Sequence, residues 1–334
     1  MARVGVIGAG AFGTAMACVI RRSGHDTVIW AREPEVVAAI NRDSRNPLFL
    51  PDVRTLPGII ATNDLAAAAA NADFLLLAPP AQHMRGVTTQ LRPFLKDGTP
   101  VVTCSKGIEQ GSCSLMSQVL AETLPATPLA VLSGPSFAGE IAIDLPTGVT
   151  LACADLALGE KLSRAIGTHR FRTYLSDDVV GALVGGALKN VLAIACGVAT
   201  GKKLGNNARA ALIARGLAET ARLGLAMGAR LETFMGLSGI GDLDLSCNSA
   251  NSRNTSLGIA LGEGRELRAV LAGRVTVQEG VHSAEAVAEL ARRHGVDMPI
   301  CAAVDQVLNH GAGLDEAIAK LIAHPYGFDL VPER

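Results

Sequence analysis

The sequence predicts an α/β domain with a parallel sheet in its N-terminal half and an all-α domain in its C-terminal half. Three observations carry this prediction. Short β-rich runs alternate with helical patterns up to about residue 175, which indicates βαβ units and right-handed crossovers. A glycine-rich turn joins the first strand to the first helix, and from Asp177 onward only helical patterns are convincing. We therefore expect two domains, over residues 1–176 and 177–334.

Seven strands are predicted in the first domain, because seven short runs are rich in β-branched or other apolar residues. They cover residues 3–7, 27–30, 74–78, 100–104, 128–132, 148–151 and 171–175. Helical spacing of apolar residues predicts helices between them, among others at residues 11–23, 35–41 and 115–123. The same spacing predicts helices in the second domain, over residues 177–200, 206–227, 231–235, 255–263, 283–294, 301–309 and 314–323.

The composition excludes several classes of function. The net charge is -1, so no global basic field attracts nucleic acid or anionic lipid. The seven cysteines form no C-x-x-C pair and show no metal-ligand spacing, so we expect no metal site. They are typical of the reduced thiols of a cytoplasmic protein. Hydrophobic residues make up 49% of the chain but aromatic residues only 3%, so small aliphatic side chains must fill the core.

Two segments are similar in composition to membrane signals. The apolar start of the chain resembles a signal peptide, but three glycines between residues 8 and 13 suit a turn better than a continuous helix. The stretch 179–201 has transmembrane length. Its central Lys189 and its five glycines favour a buried helix of a soluble protein instead. We expect no integral membrane segment.

A G-x-G-x-x-G motif, formed by Gly8, Gly10 and Gly13, lies between an apolar strand and an apolar helix. In this setting the motif is typical of a Rossmann-like domain that binds a dinucleotide. Gly8 allows a tight turn, Gly10 lets the pyrophosphate approach the backbone, and Gly13 lets the helix pack on the strand. The first amides of the helix, which begins with Ala11 and Phe12, are expected to face the phosphates. A purely structural glycine turn is the alternative.

The choice of cofactor depends on the residues after the second strand. An NAD site favours a carboxylate about 20 residues after the last glycine, to bind the ribose 2′-hydroxyl. Arg32 lies 19 residues after Gly13, and Glu33 follows it. Because a guanidinium suits a 2′-phosphate, we expect NADP to be favoured over NAD. Glu33 keeps NAD open, and a solvated surface arginine is the alternative for Arg32.

Lys189 is the only charged residue between Asp178 and Lys202, and Asn190 lies beside it in the same apolar stretch. An unpaired buried ammonium is costly, so such a lysine is paired, hydrated or neutralised. A lysine held in this way can transfer a proton near neutral pH. The alternative is a core lysine whose ammonium reaches the surface.

Polar residues follow two of the predicted strands. Lys106 comes after strand 100–104, and Gly134 and Ser136 come after strand 128–132. Ligands of open α/β sheets bind outside the carboxyl ends of the strands, where these residues fall. Taken alone, Lys106 is equally well an exposed loop lysine.

The segment Ser252, Arg253 and Asn254 can hydrogen-bond the oxygens of a phosphate. An arginine binds phosphate through two parallel hydrogen bonds, which a lysine cannot do. A phosphate site is therefore one interpretation of this segment, and a helix cap is the other. Asp242 precedes it in the motif GIGDL, and Ser246 lies four residues after Asp242.

Seven segments together relate the whole chain to a known family. They are, in chain order, IGAGAFGTA, CSKGIE, GPSFAGE, GGALKNV, GIGDLDLSC, NSRN and VQEGV. This set closely resembles the bacterial NAD(P)-dependent glycerol-3-phosphate dehydrogenases. The resemblance implies an enzyme that interconverts dihydroxyacetone phosphate, a small phosphorylated triose, and sn-glycerol 3-phosphate by hydride transfer with NADP or NAD. It also implies a cytoplasmic role in glycerophospholipid synthesis, and a homodimer is a candidate assembly.

The resemblance also implies roles for single residues. Lys189 donates the proton to the developing alkoxide, and Asp242 and Lys106 orient Lys189 and the substrate hydroxyls. The other implied substrate contacts are Gly134, Ser136, Asn190, Ser246, Ser252, Arg253 and Asn254. Beyond the glycine loop and Arg32, the implied cofactor contacts are Lys106, Ala138, Arg253, Val277 and Glu279. The family more often has threonine at the position of Ser246, and serine keeps the hydroxyl.

Two other functions remain open. A related β-hydroxyacid or 6-phosphogluconate-type dehydrogenase shares the Rossmann domain, a long helix and a catalytic lysine. The segment GPSFA and the pair GDL and SRN speak against it. A non-catalytic NADPH-sensing protein would have a damaged active site, whereas Lys106, Lys189, Asp242 and Arg253 are all present.

Overall fold

The computed structural model describes residues 1–273 and 278–323, and the chain divides into two compact units. Unit 1 consists of Met1–Ser105 and Met116–Val179. Unit 2 consists of Lys106–Leu115 and the chain from Val180 onward. The boundary expected between residues 176 and 177 falls three residues before this division. The membership of Lys106–Leu115 in unit 2 was not expected, since no local pattern indicates it.

Unit 1 contains ten β-strands. They are β1 Arg3–Ile7, β2 Asp26–Trp30, β3 Arg45–Asn46, β4 Leu50–Arg54, β5 Ile59–Thr62, β6 Phe74–Leu77, β7 Val101–Thr103, β8 Leu129–Ser133, β9 Thr147–Ala152 and β10 Phe171–Ser176. Eight of them form one sheet in the order β10-β9-β8-β7-β6-β1-β2-β5, and β3 and β4 form a separate hairpin. β1 pairs in parallel with β2 on one side and β6 on the other. All residues of β6 are buried, as expected for a parallel strand covered on both faces.

The helices of unit 1 connect these strands. They are α1 Ala11–Arg22, α2 Pro34–Asp43, α3 Leu65–Ala69, α4 Ala81–Leu91, α5 Met116–Thr123, α6 Ala138–Ala142 and α7 Leu156–Ile166. The apolar start of the chain is therefore a strand, a glycine turn and a helix, as the three glycines predicted. Residues of α1 from Gly13 to Ile20 are buried, and residues 15–20 belong to the same core cluster as residues of β1 and β6.

All seven predicted strands are present, each within one residue of its predicted ends. The structure adds the hairpin of β3 and β4, and it adds β5, an edge strand whose Ile60 is 60% exposed, so that no buried apolar run marks it. The sheet is parallel, as predicted, except at one place, where β8 and β9 pair antiparallel. Their connection holds only the short helix α6, whereas parallel neighbours need a crossover that returns along the sheet.

Unit 2 is helical. Its helices are α8 Val179–Gly201, α9 Asn206–Ala226, α10 Leu231–Phe234, α11 Asp242–Asn248, α12 Arg253–Gly262, α13 Leu267–Ala272, α14 Glu279–His294, α15 Pro299–Asn309 and α16 Leu314–Ile322. A turn over Leu237–Gly241, with a kink at Gly239, leads directly into α11. The predicted helices of this region are all present, and α11 and α13 are additions. α8 is the one helix of the described residues that is long and apolar enough to cross a membrane, and 78% of its most apolar window is buried inside the protein.

Candidate active site

The glycine-rich loop of unit 1 has the geometry that a dinucleotide requires. Gly8 has φ +106°, and a Cβ there would lie 3.0 Å from the backbone of Ala78. A Cβ at Gly13 would lie 1.9 Å from the carbonyl oxygen of Gly8, so α1 packs directly on the turn. At Gly10, by contrast, nothing lies within 4 Å of that position. The loop is therefore tightly packed at Gly8 and Gly13 and open at Gly10. The open space suits a pyrophosphate that approaches the backbone at Gly10.

The residues after β2 carry both signs of charge. Arg32 donates to the Glu33 carboxylate, with a closest distance of 2.9 Å, and its side chain is 77% exposed. The two side chains that would discriminate NADP from NAD are therefore in contact with each other. Their opposite preferences, for a 2′-phosphate and for a 2′-hydroxyl, leave the cofactor preference as a prediction.

The segment from Gly134 to Ala138 follows β8 in unit 1. Gly134 has φ +141°, and a Cβ there would lie 3.0 Å from Cα of Val149. Ser136 Oγ donates to the Gly134 carbonyl oxygen at 2.7 Å, which tightens the turn. Ala138 is the first residue of α6, whose far end is held by Arg22 of α1 through the carbonyl oxygens of Ile141 and Ala142. The substrate and cofactor contacts expected here stay predictions.

A buried carboxylate joins two lysines in unit 2. Asp242 Oδ1 accepts from Lys189 Nζ at 2.8 Å, and Asp242 Oδ2 accepts from Lys106 Nζ at 2.7 Å. Lys189 Nζ also donates to Ser246 Oγ at 3.0 Å. The side chain of Asp242 is 1% exposed, and those of Lys106 and Lys189 are 15% and 13% exposed. The sequence analysis selected Lys106, Lys189, Asp242 and Ser246 from three separate segments. In the folded chain, hydrogen bonds connect all four side chains.

The electrostatics of this cluster fix the protonation state of Asp242. Burial on its own would raise the pKa of the carboxyl group. The ammonium groups of Lys106 and Lys189 outweigh burial, through their charges and their hydrogen bonds, and hold the pKa below its usual value. Asp242 is therefore ionised throughout the neutral range. It can orient the two lysines but cannot supply a proton.

Local packing explains how Asp242 reaches Lys189. A Cβ at Gly185 would lie 2.2 Å from the carbonyl oxygen of Ser238, so α8 and the turn Leu237–Gly241 are in backbone contact. Lys189 lies one helical turn after Gly185, on the same face of α8. Asp242 lies four residues after Ser238, at the start of α11. The backbone contact between Gly185 and Ser238 is therefore followed, four residues later in each segment, by the contact between Lys189 and Asp242.

Asn190 and Asn254 form a buried chain of hydrogen bonds that ends at the backbone of Lys106. Asn190 Nδ2 donates to the Lys106 carbonyl oxygen at 2.8 Å, and Asn254 Nδ2 donates to Asn190 Oδ1 at 2.8 Å. The amide N–H of Gly280 donates to Asn254 Oδ1 at 3.2 Å. Both side-chain amides thus bond to groups of the protein. Their expected contacts with substrate remain predictions, and the bonds observed hold Lys106 in place.

The SRN segment combines both interpretations that the sequence left open. Ser252 is the N-cap of α12, and its Oγ accepts from the amide of Thr255 at 3.3 Å. Arg253 follows at the first helical position; the residue as a whole is exposed, but burial of its guanidinium lowers the pKa of that group. Glu279 begins α14 and is half-buried, and the expected cofactor contact Val277 lies outside the described residues.

Sequence reasoning did not select Asn46, which contacts the glycine loop. Its Nδ2 donates to the carbonyl oxygen of Ala9 at 2.8 Å. No motif or periodicity marks this residue, because a buried asparagine in a short hairpin has no pattern of its own. The only local signal is a polar amide in the run RNPLFLPDV, which is otherwise rich in apolar residues.

Comparisons with known proteins agree on one family. Two family models, described as the N-terminus and the C-terminus of NAD-dependent glycerol-3-phosphate dehydrogenase, match residues 3–158 and 178–319. The glycerol-3-phosphate dehydrogenase (NAD(P)+) of Parvibaculum lavamentivorans is 56% identical over 324 residues, which cover 97% of each chain. The enzyme of the same name from Caulobacter vibrioides is 55% identical over 323 residues, again 97% of each chain.

Solved structures of the same family are also similar to this chain. The crystal structure of glycerol-3-phosphate dehydrogenase from Coxiella burnetii has a TM-score of 0.92 and 36% identity, and covers 96% of this chain and 98% of its own. A ketopantoate reductase from Ralstonia eutropha has a TM-score of 0.56 and 16% identity, which shows a shared fold alone. These matches do not support the alternative of a β-hydroxyacid or 6-phosphogluconate-type dehydrogenase.

Proposed function

Because the chain belongs to the family of NAD-dependent glycerol-3-phosphate dehydrogenases, we propose that Lys189 is its proton donor in the reduction of dihydroxyacetone phosphate. The enzyme is an NAD(P)-dependent oxidoreductase, and the same lysine accepts the proton in the oxidation of sn-glycerol 3-phosphate. The observation that carries this proposal is the carboxylate of Asp242, which binds Lys189 and Lys106 at once.

The donor capacity of Lys189 supports this role. An ammonium group has three N–H donors. Within the described residues, Lys189 Nζ donates to Asp242 Oδ1 and to Ser246 Oγ. One N–H therefore remains for the carbonyl oxygen of the substrate. Two fixed partners orient the third donor, which is the geometric requirement for general acid catalysis.

Asp242 serves as the fixed counter-charge. It stays ionised because the two ammonium groups hold its pKa low. It therefore holds the side chains of Lys189 and Lys106 at defined places beside each other. We assign Lys106 to the substrate oxygens. The bond from Asn190 to its carbonyl oxygen fixes its backbone, and the bond to Asp242 fixes its ammonium.

The phosphate of the substrate is assigned to Arg253, with Ser252 and Asn254 as its neighbours. Arg253 carries the guanidinium of this segment, and it stands at the N-terminal end of α12, where the helix dipole also favours an anion. Binding energy from the phosphate, remote from the reacting carbon, orients the carbonyl group. Gly134 and Ser136 are assigned to the substrate because the family resemblance implies contacts at these two positions.

The cofactor is assigned to the loop of Gly8, Gly10 and Gly13, with Arg32 at the adenosine end and Ala138, Glu279 and Val277 as further contacts. When it is bound, the reduced nicotinamide supplies the hydride to the carbonyl carbon. The open space at Gly10 supports the placement of the pyrophosphate there. The exposed guanidinium of Arg32 supports a preference for NADPH, with NADH also accepted because Glu33 is adjacent.

Three further assignments follow from family membership. We place the enzyme in the cytoplasm, which is consistent with seven free cysteines, all of them buried. We assign its product, sn-glycerol 3-phosphate, to glycerophospholipid synthesis. We expect a homodimer, which sedimentation of the purified protein tests directly.

The experiment that tests this function follows the absorbance of the reduced nicotinamide in four mixtures. The purified protein is given dihydroxyacetone phosphate or dihydroxyacetone, each with NADPH or NADH. Rapid oxidation with the phosphorylated substrate and slow oxidation without the phosphate is the expected result. If neither cofactor is oxidised with dihydroxyacetone phosphate, or if the phosphate makes no difference, the assignment fails.

A further inference from the structure

We propose that Asn46 is a positioning residue that holds the glycine-rich loop in the form that binds the cofactor pyrophosphate. It is fully buried, with 0% of its surface exposed, so it cannot touch a ligand itself. The inference rests on the proposed role of the loop as the cofactor site. It assigns to the hairpin of β3 and β4 a part in cofactor binding.

All the hydrogen-bonding groups of Asn46 are used. Its Nδ2 donates to the carbonyl oxygen of Ala9 at 2.8 Å and to Thr14 Oγ1 at 2.8 Å. Its Oδ1 accepts from the amide of Phe49 at 3.1 Å. Thr14 Oγ1 donates in turn to the same Ala9 oxygen at 3.3 Å. A carbonyl oxygen on one side and an amide N–H on the other fix which end of the side-chain amide faces the loop.

The geometry of the peptide group gives this contact its effect. In a planar trans peptide the C=O of one residue and the N–H of the next point in opposite directions. The bond from Asn46 to the Ala9 carbonyl oxygen therefore directs the N–H of Gly10 away from the hairpin. This is the residue at which the loop is open, since nothing lies within 4 Å of a Cβ placed there. Asn46 thus sets the direction of a donor that the pyrophosphate oxygens can use.

The hairpin is anchored well enough to act as a support. Leu50 and Val53 of β4 are buried in the core cluster that also contains β1 and α1. The bond from the Phe49 amide to Asn46 closes the hairpin turn onto the same asparagine. β4 also packs against α6, the helix that begins at Ala138. One small element therefore supports both the glycine loop and the helix that carries another expected cofactor contact.

The test compares cofactor binding by four variants of the full-length protein, measured by fluorescence titration of NADH and NADPH. Asn46→Ala removes all three hydrogen bonds. Asn46→Asp keeps the acceptor for Phe49 but replaces the donor by a carboxylate oxygen that faces the Ala9 carbonyl. Asn41→Ala is the matched control, because Asn41 also makes two bonds to a neighbouring backbone, to Ala61 of β5, away from the loop. Gly10→Val tests the loop itself, because its φ of -64° and open surroundings accept a side chain.

We expect both Asn46 variants to raise the Kd for both cofactors about 10-fold, which corresponds to about one hydrogen bond to a charged group. The turnover number at saturating cofactor should stay within about 2-fold, and the KM for dihydroxyacetone phosphate should not change, since the lysine cluster lies in other segments. Asn41→Ala should bind both cofactors as the wild type does. If Asn46→Asp does not fold, because it buries a carboxylate against the Ala9 carbonyl oxygen, Asn46→Ala carries the test.

The outcomes separate this inference from the proposed function. Weak cofactor binding by Gly10→Val with wild-type binding by both Asn46 variants would overturn the inference and leave the cofactor site in place. Wild-type binding by Gly10→Val would overturn the assignment of the loop and the inference with it. A fall in turnover with unchanged Kd in the Asn46 variants would show a merely structural role, and this also overturns the inference.

Discussion

Replacement of Asp242 by asparagine removes one charge from the centre of the lysine cluster. Asp242→Asn keeps the shape of the side chain but leaves two ammonium groups, each less than one-sixth exposed, without their shared counter-charge. Removing one partner of a buried ion pair costs about 3–5 kcal/mol. Because Asp242 pairs with two lysines, we expect a fall in the free energy of unfolding toward the upper end of that range.

The pH dependence of this effect has a definite sign. The pKa of Asp242 in the folded protein lies below its ordinary value of 3.8. A carboxyl group with a lowered folded-state pKa contributes stability above its unfolded-state pKa and loses it as the pH falls through the folded-state value. The difference in stability between wild type and Asp242→Asn should therefore be constant near neutral pH and shrink below a pH of about 4.

Chemical denaturation at several pH values measures this difference, and a steady-state assay measures turnover in parallel. Turnover should fall by about 100-fold or more, because Lys189 loses the bond that orients it. Asp244→Asn is the matched control, since Asp244 lies on the same helix but is exposed. A loss of less than about 1 kcal/mol in Asp242→Asn, with turnover near that of the control, would show that Asp242 is not the shared counter-charge of the two lysines.

Three further substitutions test other parts of the account. Arg32→Ala should raise the KM for NADPH more than that for NADH, and an equal rise for both in the steady-state assay would show that Arg32 does not bind the 2′-phosphate. Arg253→Lys should lower kcat/KM for dihydroxyacetone phosphate by a factor equivalent to about 2–4 kcal/mol. An equal loss with dihydroxyacetone would contradict the phosphate assignment unless a cofactor titration shows weakened binding. Gly185→Ala should destabilise the protein by about 1–3 kcal/mol because its Cβ meets Ser238. Gly86→Ala is the control, because an added Cβ there has no atom within 4 Å, and it should not lower the stability measured by thermal or chemical unfolding.

The strands and helices could be predicted because their signals are local. The strand over residues 74–77 is a continuous apolar run, and α8 is apolar on every side. β5 could not be found in this way, because it is a short edge strand and exposes Ile60. The antiparallel pairing of β8 with β9 is a property of the connection between them, which apolar patterns do not record.

Some site residues could likewise be predicted from local signals, whereas the contacts between them could not. Lys189 was found because one charge in an apolar helix is conspicuous, and the glycine motif because its spacing is specific. The contact of Asp242 with both lysines depends on segments 53 and 136 residues away in the chain, which only the fold brings together. The internal use of the Asn190 and Asn254 amides could not be predicted either, since an asparagine near a phosphate motif is equally suited to a ligand or to a backbone carbonyl.

Lys189 is the proposed proton donor, and the turnover of Lys189→Met across pH decides whether it has this role. Methionine keeps the length and apolar character of the buried part of the side chain, so the fold and cofactor binding should survive. Turnover should fall by about 100-fold or more at every pH, and Lys189→Arg should not restore it, because a guanidinium does not release its proton near neutral pH. A folded, cofactor-binding Lys189→Met variant with near wild-type turnover and an unchanged pH profile would contradict the account and direct attention to Lys106 as the proton donor.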